Sequence, residues 1–113
     1  MSRAEAERRG RRAERVAALL LVLKGWRIVA MRRQLPMIEV DIVARRGGVL
    51  AVVEVKQRPT LEAALAAVTP AAAARLRAAA RQLAAEQGEG LVARVDLIAL
   101  APRCWPRHIA GVE

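Results

Sequence analysis

The first part of the chain repeats apolar and charged residues with the period of an α-helix. Ser2 followed by Glu5 is typical of a helix start, and Gly25 ends a run rich in Ala, Leu, Glu and Arg. At roughly 100° per residue, apolar side chains gather on one face and arginines on another. The apolar face holds Ala13, Val16, Leu20 and Leu23, and the basic face holds Arg8, Arg11, Arg12 and Arg15. The pattern predicts an amphipathic helix packed through its apolar face, with Glu14 at the border of that face.

Three β-branched segments follow, and each has the composition of a strand. The predicted strands are residues 26–31, 38–44 and 49–56, with a turn at 45–48. A short glycine-containing turn makes the second and third strands an antiparallel hairpin. Side chains alternate along a strand, so Glu39 and Asp41 are expected on one face and Val40 and Ile42 on the other. Glu54 and Lys56 are likewise expected to share a face.

The second half of the chain predicts helices and then one more strand. A short helix at 61–67 precedes a longer one, for which Thr69 is the cap, Pro70 the first residue and Gln87 the approximate end. A strand is expected at 91–100. The order helix, three strands, helices and strand predicts an α/β fold. We expect residues 1–100 to form a single domain and residues 101–113 an irregular C-terminal tail.

Composition narrows the classes of protein that the chain can belong to. It has 113 residues, 55% of them hydrophobic, and a formal charge of +9 that is nearly all arginine. Global disorder is excluded at this hydrophobicity, and a polyanion such as nucleic acid is the expected partner. A GC-rich genome would also enrich Arg and Ala, so the positive charge is compatible with a nucleic-acid partner but does not by itself indicate one. The apolar run from Val16 to Leu23 is too short to span a bilayer, and the sole cysteine, Cys104, allows no intramolecular disulfide. A cytoplasmic protein without a membrane partner is expected.

The hairpin carries the residues best suited to catalysis or metal binding. Asp41 and Glu54 are carboxylates on neighbouring apolar strands, and Lys56 follows Glu54 by two residues. Mg²⁺ prefers hard oxygen ligands, so Asp41, Glu54 and the backbone carbonyl of Val55 could hold one. Lys56 could orient a water or stabilise charge on a phosphate. From the spacing alone, an ion pair on a solvated sheet face accounts for these residues better than catalysis does.

Several segments, in order, resemble one bacterial family. They are Ala13-Glu14, residues 39–43, residues 53–58, Val68-Thr69-Pro70 and Arg94-Val95-Asp96. Their order and spacing are similar to the uncharacterised YraN family over roughly residues 9–100. That family resembles the PD-(D/E)XK restriction-endonuclease-like superfamily, and within it the archaeal Holliday junction resolvases.

The resemblance implies a restriction-endonuclease-like core, α-β-β-β-α-β, with a mixed sheet flanked by helices. It implies catalytic roles for Glu14, Asp41, Glu54 and Lys56, a Mg²⁺ or Mn²⁺ cofactor and, as in many resolvases, a homodimer. The chain departs from the family pattern at three places: Ile38 stands where a Gly is usual, Met31 or Arg32 where an Asn is usual, and Ala71–Ala74 where a basic and polar run is usual. The last departure suggests weakened catalysis.

Several arginines are candidates for a nucleic-acid-binding surface. The expected phosphate contacts are Arg11, Arg15, Arg45, Arg46, Arg58 and Arg75, although each alone is also an ordinary surface arginine. His108 is expected to be an exposed residue of the tail, and Asp96 to form a structural pair with Arg94 or a neighbouring strand.

Three hypotheses for function follow. The first is a metal-dependent endonuclease acting on DNA, in particular on branched or recombination intermediates. The second is a catalytically weak or inactive nucleic-acid-binding module on the same fold. The third is a protein-interaction subunit whose Ala-rich helix packs on a partner.

Overall fold

The structure, a computed structural model, describes residues 2–112 as three helices and five strands. The elements in chain order are α1 (Arg3–Leu23), β1 (Arg27–Gln34), β2 (Glu39–Arg46), β3 (Val49–Gln57), α2 (Leu61–Leu65), α3 (Pro70–Gln87), β4 (Val92–Leu100) and β5 (Arg107–Ile109). Hydroxyl caps begin all three helices: Ser2 accepts from the Glu5 N–H, Thr60 from Ala63 and Thr69 from Ala72. None of the described helices is long and apolar enough to cross a membrane.

The strands form one mixed sheet in the order β1-β2-β3-β4-β5. β1, β2 and β3 pair antiparallel, β3 and β4 pair parallel, and β5 returns antiparallel to β4. The parallel pair needs a crossover connection, and α2 and α3 supply it. The expected α/β class and the α-β-β-β-α-β order are confirmed, with helices on both faces of a mixed sheet compatible with a restriction-endonuclease-like core.

Two apolar cores lie on opposite faces of the sheet. One joins α3 to the sheet through residues such as Leu76, Leu83 and Val52. The other joins α1 to the opposite face and is built around Leu21, Trp26, Ile42 and Ile98. Sequential side chains of β3 divide between the two cores, as alternation requires. The sheet is therefore buried on both faces over its central strands.

The predicted core face of α1 is wrong at most of its positions. The buried residues of α1 are Ala13, Ala17 and Leu21, whereas Val16 and Leu23 are exposed and Leu20 is only partly buried. The helical period of the sequence predicted that the arc with the larger apolar side chains would face the core. In the fold, α1 turns the neighbouring arc with two alanines toward the sheet, because small side chains let a helix approach closely. The bulky residues remain on the surface.

The hairpin is confirmed, but its turn is tighter than expected. Arg45 and Arg46 belong to β2 and pair with Leu50 and Val49, so only Gly47 and Gly48 form the turn. Gly47 has a φ of +56°, a conformation that glycine adopts without steric cost.

Strict alternation fails in β2 near Asp41. Val40 packs in the α3 core and Ile42 in the α1 core, although alternation predicts one face for both. The cause is the register: backbone pairing of β2 with β3 extends from Arg46 only to Ile42, while β2 stays paired with β1 as far as Glu39. The two strands separate at Asp41, which frees that side chain from the ordinary pleat.

The expectation of an irregular tail with an exposed histidine is also wrong. Residues 107–109 form β5, and the side chain of His108 is only 7% exposed. The cause is the buried carboxylate of Asp96, which accepts hydrogen bonds from His108 Nε2 at 2.8 Å and from the Gly111 N–H at 3.1 Å. Arg94 donates two more, as the expected Arg94–Asp96 pair requires. Lys24 at the end of α1 contacts His108 Nδ1 and ties the helix to this network.

Removing the Asp96 carboxylate should destabilise the fold strongly. Burial by itself raises the pKa of Asp96, but the hydrogen bonds from His108, Arg94 and Gly111 outweigh it and bring the pKa to about 2. Asp96→Ala leaves the Arg94 guanidinium without its partner, so we expect the free energy of unfolding to fall by about 3–5 kcal/mol in a urea titration. Glu86→Ala, which breaks only the half-exposed pair with Arg33, is the control and should cost less than about 1 kcal/mol. Equal losses in both variants would contradict the structural role of Asp96.

Candidate active site

One cavity of about 390 Å³ brings together the four residues that the sequence singles out for chemistry. Its walls come from the first half of α1, from β2 and from the end of β3. The four residues are Glu14, Asp41, Glu54 and Lys56, and Arg9, Gln57 and Arg58 also line it. Residues separated by more than forty positions in the chain therefore face one space.

Asp41 is fixed by the separation of β2 from β3. Its Oδ2 accepts the Val55 N–H at 2.8 Å, in the place that a β2 backbone carbonyl would otherwise take. The N–H and carbonyl of one strand residue point to the same side. The Val92 N–H bonds the Gly48 carbonyl, so even-numbered residues of β3 turn toward β4 and Val55 turns toward β2. The Val55 carbonyl oxygen therefore faces the Asp41 side of β3.

Glu54 lies beside Asp41 and is mostly buried. Burial raises the pKa of Glu54 most, the hydrogen-bonded and negatively charged Asp41 raises it further, and the result is about 8. Lys56, whose Nζ lies 3.9 Å from Glu54 Oε1, and the Val55 N–H both lower the pKa but do not outweigh these causes. Two neighbouring carboxylates are a concentration of negative charge that a cation would relieve.

Glu14 lines the cavity but is held by a cation of the chain itself. Arg32 Nε donates to Glu14 Oε1 at 2.7 Å, and Arg32 has a φ of +52°, which non-glycine residues seldom adopt. Arg32 also lies in the field of Glu39 and Asp41. The Glu14 carboxylate is thus neutralised from β1.

The donor set fits a hard divalent cation, with limits. Within residues 2–112, no three Asp, Glu, His or Cys side chains are close enough together to hold a metal ion. The oxygen donors that face one another are the Asp41 and Glu54 carboxylates and the Val55 carbonyl. Mg²⁺ commonly uses one or two carboxylates and keeps several waters, so this set suits it. Glu14 would have to leave Arg32 to join the set.

The expected arginine surface is only partly assembled around this cavity. Arg58 lines it, whereas Arg11 and Arg15 are exposed on α1 away from its walls. Arg46 donates to the Lys24 carbonyl and lies over the Trp26 ring at 4.6 Å, and Arg45 donates to the Gln87 carbonyl. Arg75 lines a different cavity beside Leu35. Arg45 and Arg46 therefore anchor the hairpin to its neighbours.

Several lining or contacting residues were not among the predicted site residues, including Arg9, Gly10, Gln57 and Arg32. Arg9 lines the cavity, and the helical period could have found it, because Ala13 and Gly10 share its side of α1. Gly10 leaves the wall open: a Cβ built there meets no atom within 4 Å. A signal for Arg32 was present, because Met31 or Arg32 stands where the family has an Asn and Asn favours the positive φ found at Arg32, but the sequence did not reveal its contact with Glu14.

The raised pKa of Glu54 predicts a pH dependence of stability. Folded Glu54 keeps its proton up to about pH 8, whereas in the unfolded chain it loses that proton near the ordinary value of 4.5. The folded protein binds more protons between these values, so the free energy of unfolding should fall as pH rises through this window, by at most about 1.4 kcal/mol per pH unit.

Denaturant titrations between pH 4.5 and 8 measure this slope. Glu54→Gln should reduce it, and the exposed Glu62 on α2 offers the control Glu62→Gln, which should leave it in place. An identical slope in the Glu54→Gln variant would show that Glu54 titrates normally.

Comparison with known proteins identifies the family. The sequence pattern of the uncharacterised protein family UPF0102 matches residues 13–100. A UPF0102 protein of Caulobacter vibrioides is 54% identical over 111 residues, covering 96% of this chain and 89% of the relative. A UPF0102 protein of Chelativorans sp. is 46% identical, covering 99% and 92%, and one of Rhizobium meliloti is 50% identical, covering 93% and 88%. The expected YraN resemblance is confirmed, and the chain belongs to the uncharacterised protein family UPF0102, the YraN family.

Proposed function

We propose that this protein is a metal-dependent endonuclease that acts on DNA in the cytoplasm, in particular on branched or recombination intermediates. The observation that carries the proposal is the cavity in which Asp41, Glu54 and Lys56 lie together with Arg9 and Arg58. The resemblance to the restriction-endonuclease-like superfamily supports the same chemistry, since an acid followed by Glu-x-Lys on the next strand is its pattern.

Asp41, Glu54 and the Val55 carbonyl would hold the cation. Val55 donates its N–H to Asp41, so this bond keeps the carboxylate against β3 and beside Glu54 before any ligand arrives. A divalent cation, when bound, supplies positive charge to the phosphate and lowers the pKa of a coordinated water. Glu54 must give up its proton to act as a ligand, so binding should strengthen as pH rises toward 8.

Lys56 is suited to the phosphate side of the reaction. Its ammonium is 3.9 Å from Glu54 Oε1, too far for a tight hydrogen bond, and its side chain is 27% exposed toward the cavity. A loosely held cation next to two carboxylates can orient a water or stabilise charge on the phosphate.

A basic groove leads away from the carboxylates and would carry the DNA backbone. Arg9, Gln57 and Arg58 line both the catalytic cavity and an adjoining cavity of about 430 Å³, which Pro59 and Pro102 complete. The two cavities therefore form one continuous path. Arginine guanidinium groups contact phosphates without reading sequence, which suits an enzyme that recognises DNA shape.

Cleavage of labelled branched, duplex and single-stranded DNA in Mg²⁺ or Mn²⁺ tests the proposal. Asp41→Asn keeps an oxygen for the Val55 N–H but removes the charge, so it should abolish Mn²⁺ binding in calorimetry and lower cleavage at least about a hundredfold. Lys56→Ala should lower cleavage by about a hundredfold or more while Mn²⁺ still binds. Glu62→Gln is the control and should cleave normally. No cleavage of any substrate, or cleavage unchanged in Asp41→Asn, would overturn the proposal.

A second candidate function is a nucleic-acid-binding module without catalysis. The observation that favours it is the Glu14–Arg32 ion pair, which keeps the third carboxylate away from a cation. This alternative predicts DNA binding that weakens steeply with salt and with Arg9→Ala or Arg58→Ala, and no turnover in any metal. Turnover that disappears in Lys56→Ala would exclude it.

We also propose that the protein is a homodimer through α1. Its exposed large apolar residues are Val16, Leu19, Val22 and Leu23, which fall within an arc of roughly 120° on the second half of the helix. Leu23 is 76% exposed and Leu19 is 59% exposed. A two-fold axis would place the same patch of two copies in contact, which is the commonest closed arrangement. The alanines of α3 are divided: Ala73, Ala79, Ala80 and Ala84 are buried in the fold, whereas Ala71, Ala74, Ala78 and Ala85 are exposed but offer only small side chains.

Light scattering after size exclusion tests the dimer. The wild type should have twice the chain mass, and Leu19→Glu, which places a charge inside the patch, should give a monomer with an unchanged circular dichroism spectrum. Met37→Glu is the control at another exposed apolar residue, 78% exposed outside α1, and should leave the mass unchanged. A monomeric wild type would contradict the dimer. That result would not bear on the proposed nuclease, which the cleavage test examines separately.

A further inference from the structure

A second groove lies between α3 and the first half of β4, away from the carboxylates. We name it the α3–β4 groove. It consists of a cavity of about 490 Å³ and an adjoining one of about 400 Å³, which share Arg81, Leu91 and Ala93. Ala93 pairs with Leu50 near the hairpin turn, whereas Glu54 pairs with Leu97 further along the sheet. The α3–β4 groove and the candidate active site therefore lie at different ends of the same strands.

Two arginines on one side of α3 line the larger cavity. Arg77 and Arg81 are one helical turn apart, so their side chains extend in nearly the same direction. Neither has a carboxylate within 4.0 Å in the described part of the chain. Nη1 of Arg77 is buried and has no hydrogen-bond acceptor among residues 2–112. A buried guanidinium N–H without an acceptor is rare and costly, so the position is suited to an anion.

The edge of β4 adds backbone donors to the same cavity. The Val95 carbonyl accepts the Val112 N–H at 2.7 Å, on the side of β4 that faces away from β3. Because N–H and carbonyl groups alternate along a strand, the N–H groups of Val95 and Ala93 point to that outer side as well. β5 pairs with β4 from Leu97 to Ala99, and Val112 continues along this edge as far as Val95, so Ala93 lies beyond both. Ala93 and Val95 both line the cavity.

The remaining walls of the cavity are apolar and come from Ala80, Leu91 and Val112. Arg94, which also lines it, commits its guanidinium to Asp96 through two hydrogen bonds. The free positive charge of the larger cavity therefore belongs to Arg77 and Arg81, whereas the acid Glu89 lines the smaller cavity. A volume of this size suits a small ligand with an apolar portion.

We propose that the α3–β4 groove is a binding site for a phosphate group carried by a ligand with an apolar portion, such as a nucleotide unit. Two guanidinium forks and two backbone N–H groups present more donors than the two oxygens of a carboxylate can use. A phosphate monoester has three free oxygens and a larger charge than a carboxylate, a nucleic-acid backbone offers two free oxygens from each successive phosphate, and arginine matches the geometry of both. The source of the phosphate is either a free nucleotide or the backbone of a nucleic acid.

Nuclear magnetic resonance titrations of the full chain test the site. Adenosine monophosphate should shift the amide signals of Ala93 and Val95, whereas adenosine and acetate should leave them in place. Shifts with the mononucleotide identify a free nucleotide as the ligand, and shifts only with duplex DNA identify the nucleic-acid backbone. Each result supports the phosphate site. Equal shifts with acetate, or no shift with any phosphate compound, would overturn it.

Matched variants on α3 distinguish binding at this site from nonspecific attraction of a phosphate compound to a basic protein. Arg77→Gln and Arg81→Gln should each weaken binding by about tenfold or more, since each removes a charge-assisted contact. Arg75→Gln is the control, because it removes the same charge from the same helix but lines another cavity. Equal weakening in the control would contradict the proposal. Arg81 is exposed, so Arg81→Gln keeps the test decisive if Arg77→Gln does not fold. The shifts of the Ala93 and Val95 amides require no metal ion and no cleavage, so they test this site independently of the proposed nuclease.

Discussion

The candidate site depends on one hydrogen bond, from the Val55 N–H to the Asp41 carboxylate. In a continuous hairpin that N–H would pair with a backbone carbonyl of β2, and Asp41 would point outward from the pleat. The early separation of β2 from β3 leaves the N–H without a backbone acceptor, and a buried donor must find one. Asp41 supplies it, so the strand separation and the position of the acid have the same physical origin.

That bond also explains the electrostatic state of the cavity. The carboxylate that accepts from Val55 is drawn against Glu54, which is already poorly solvated, and the pKa of Glu54 rises to about 8. Lys56, 3.9 Å from Glu54 Oε1, lowers the pKa of Glu54 without outweighing burial and Asp41, and Arg32 pairs with Glu14 instead. Near neutral pH the cavity keeps a proton on Glu54. A cation must displace that proton before the Glu54 carboxylate can bind it.

Helical periodicity and the residues that typically begin helices or form turns made much of the fold predictable. Ser2, Thr69-Pro70 and the Gly47-Gly48 turn are local signals, and each marks a helix start or a hairpin where the structure has one. Motif spacing identified the family, and Asp41, Glu54 and Lys56 are adjacent because they lie on paired strands. Local signals could not reveal β5, because that strand forms around Asp96 and its partner His108 comes from 12 residues further along the chain. The rotation of α1 was equally hidden, since close packing of Ala13 and Ala17 outweighed the larger hydrophobic area of Val16 and Leu23.

The arginine-rich first half of α1 has an energetic consequence for the wall of the cavity. Arg8 and Arg12, and likewise Arg11 and Arg15, are like charges one turn apart. Two of the three acids of α1 are paired with other residues, Glu7 with Arg3 and Glu14 with Arg32. The segment that carries Arg9 and Gly10 is therefore a self-repelling part of the helix. A polyanion lying along it would remove that repulsion, so the order of this wall and the occupancy of the groove beside it are thermodynamically coupled.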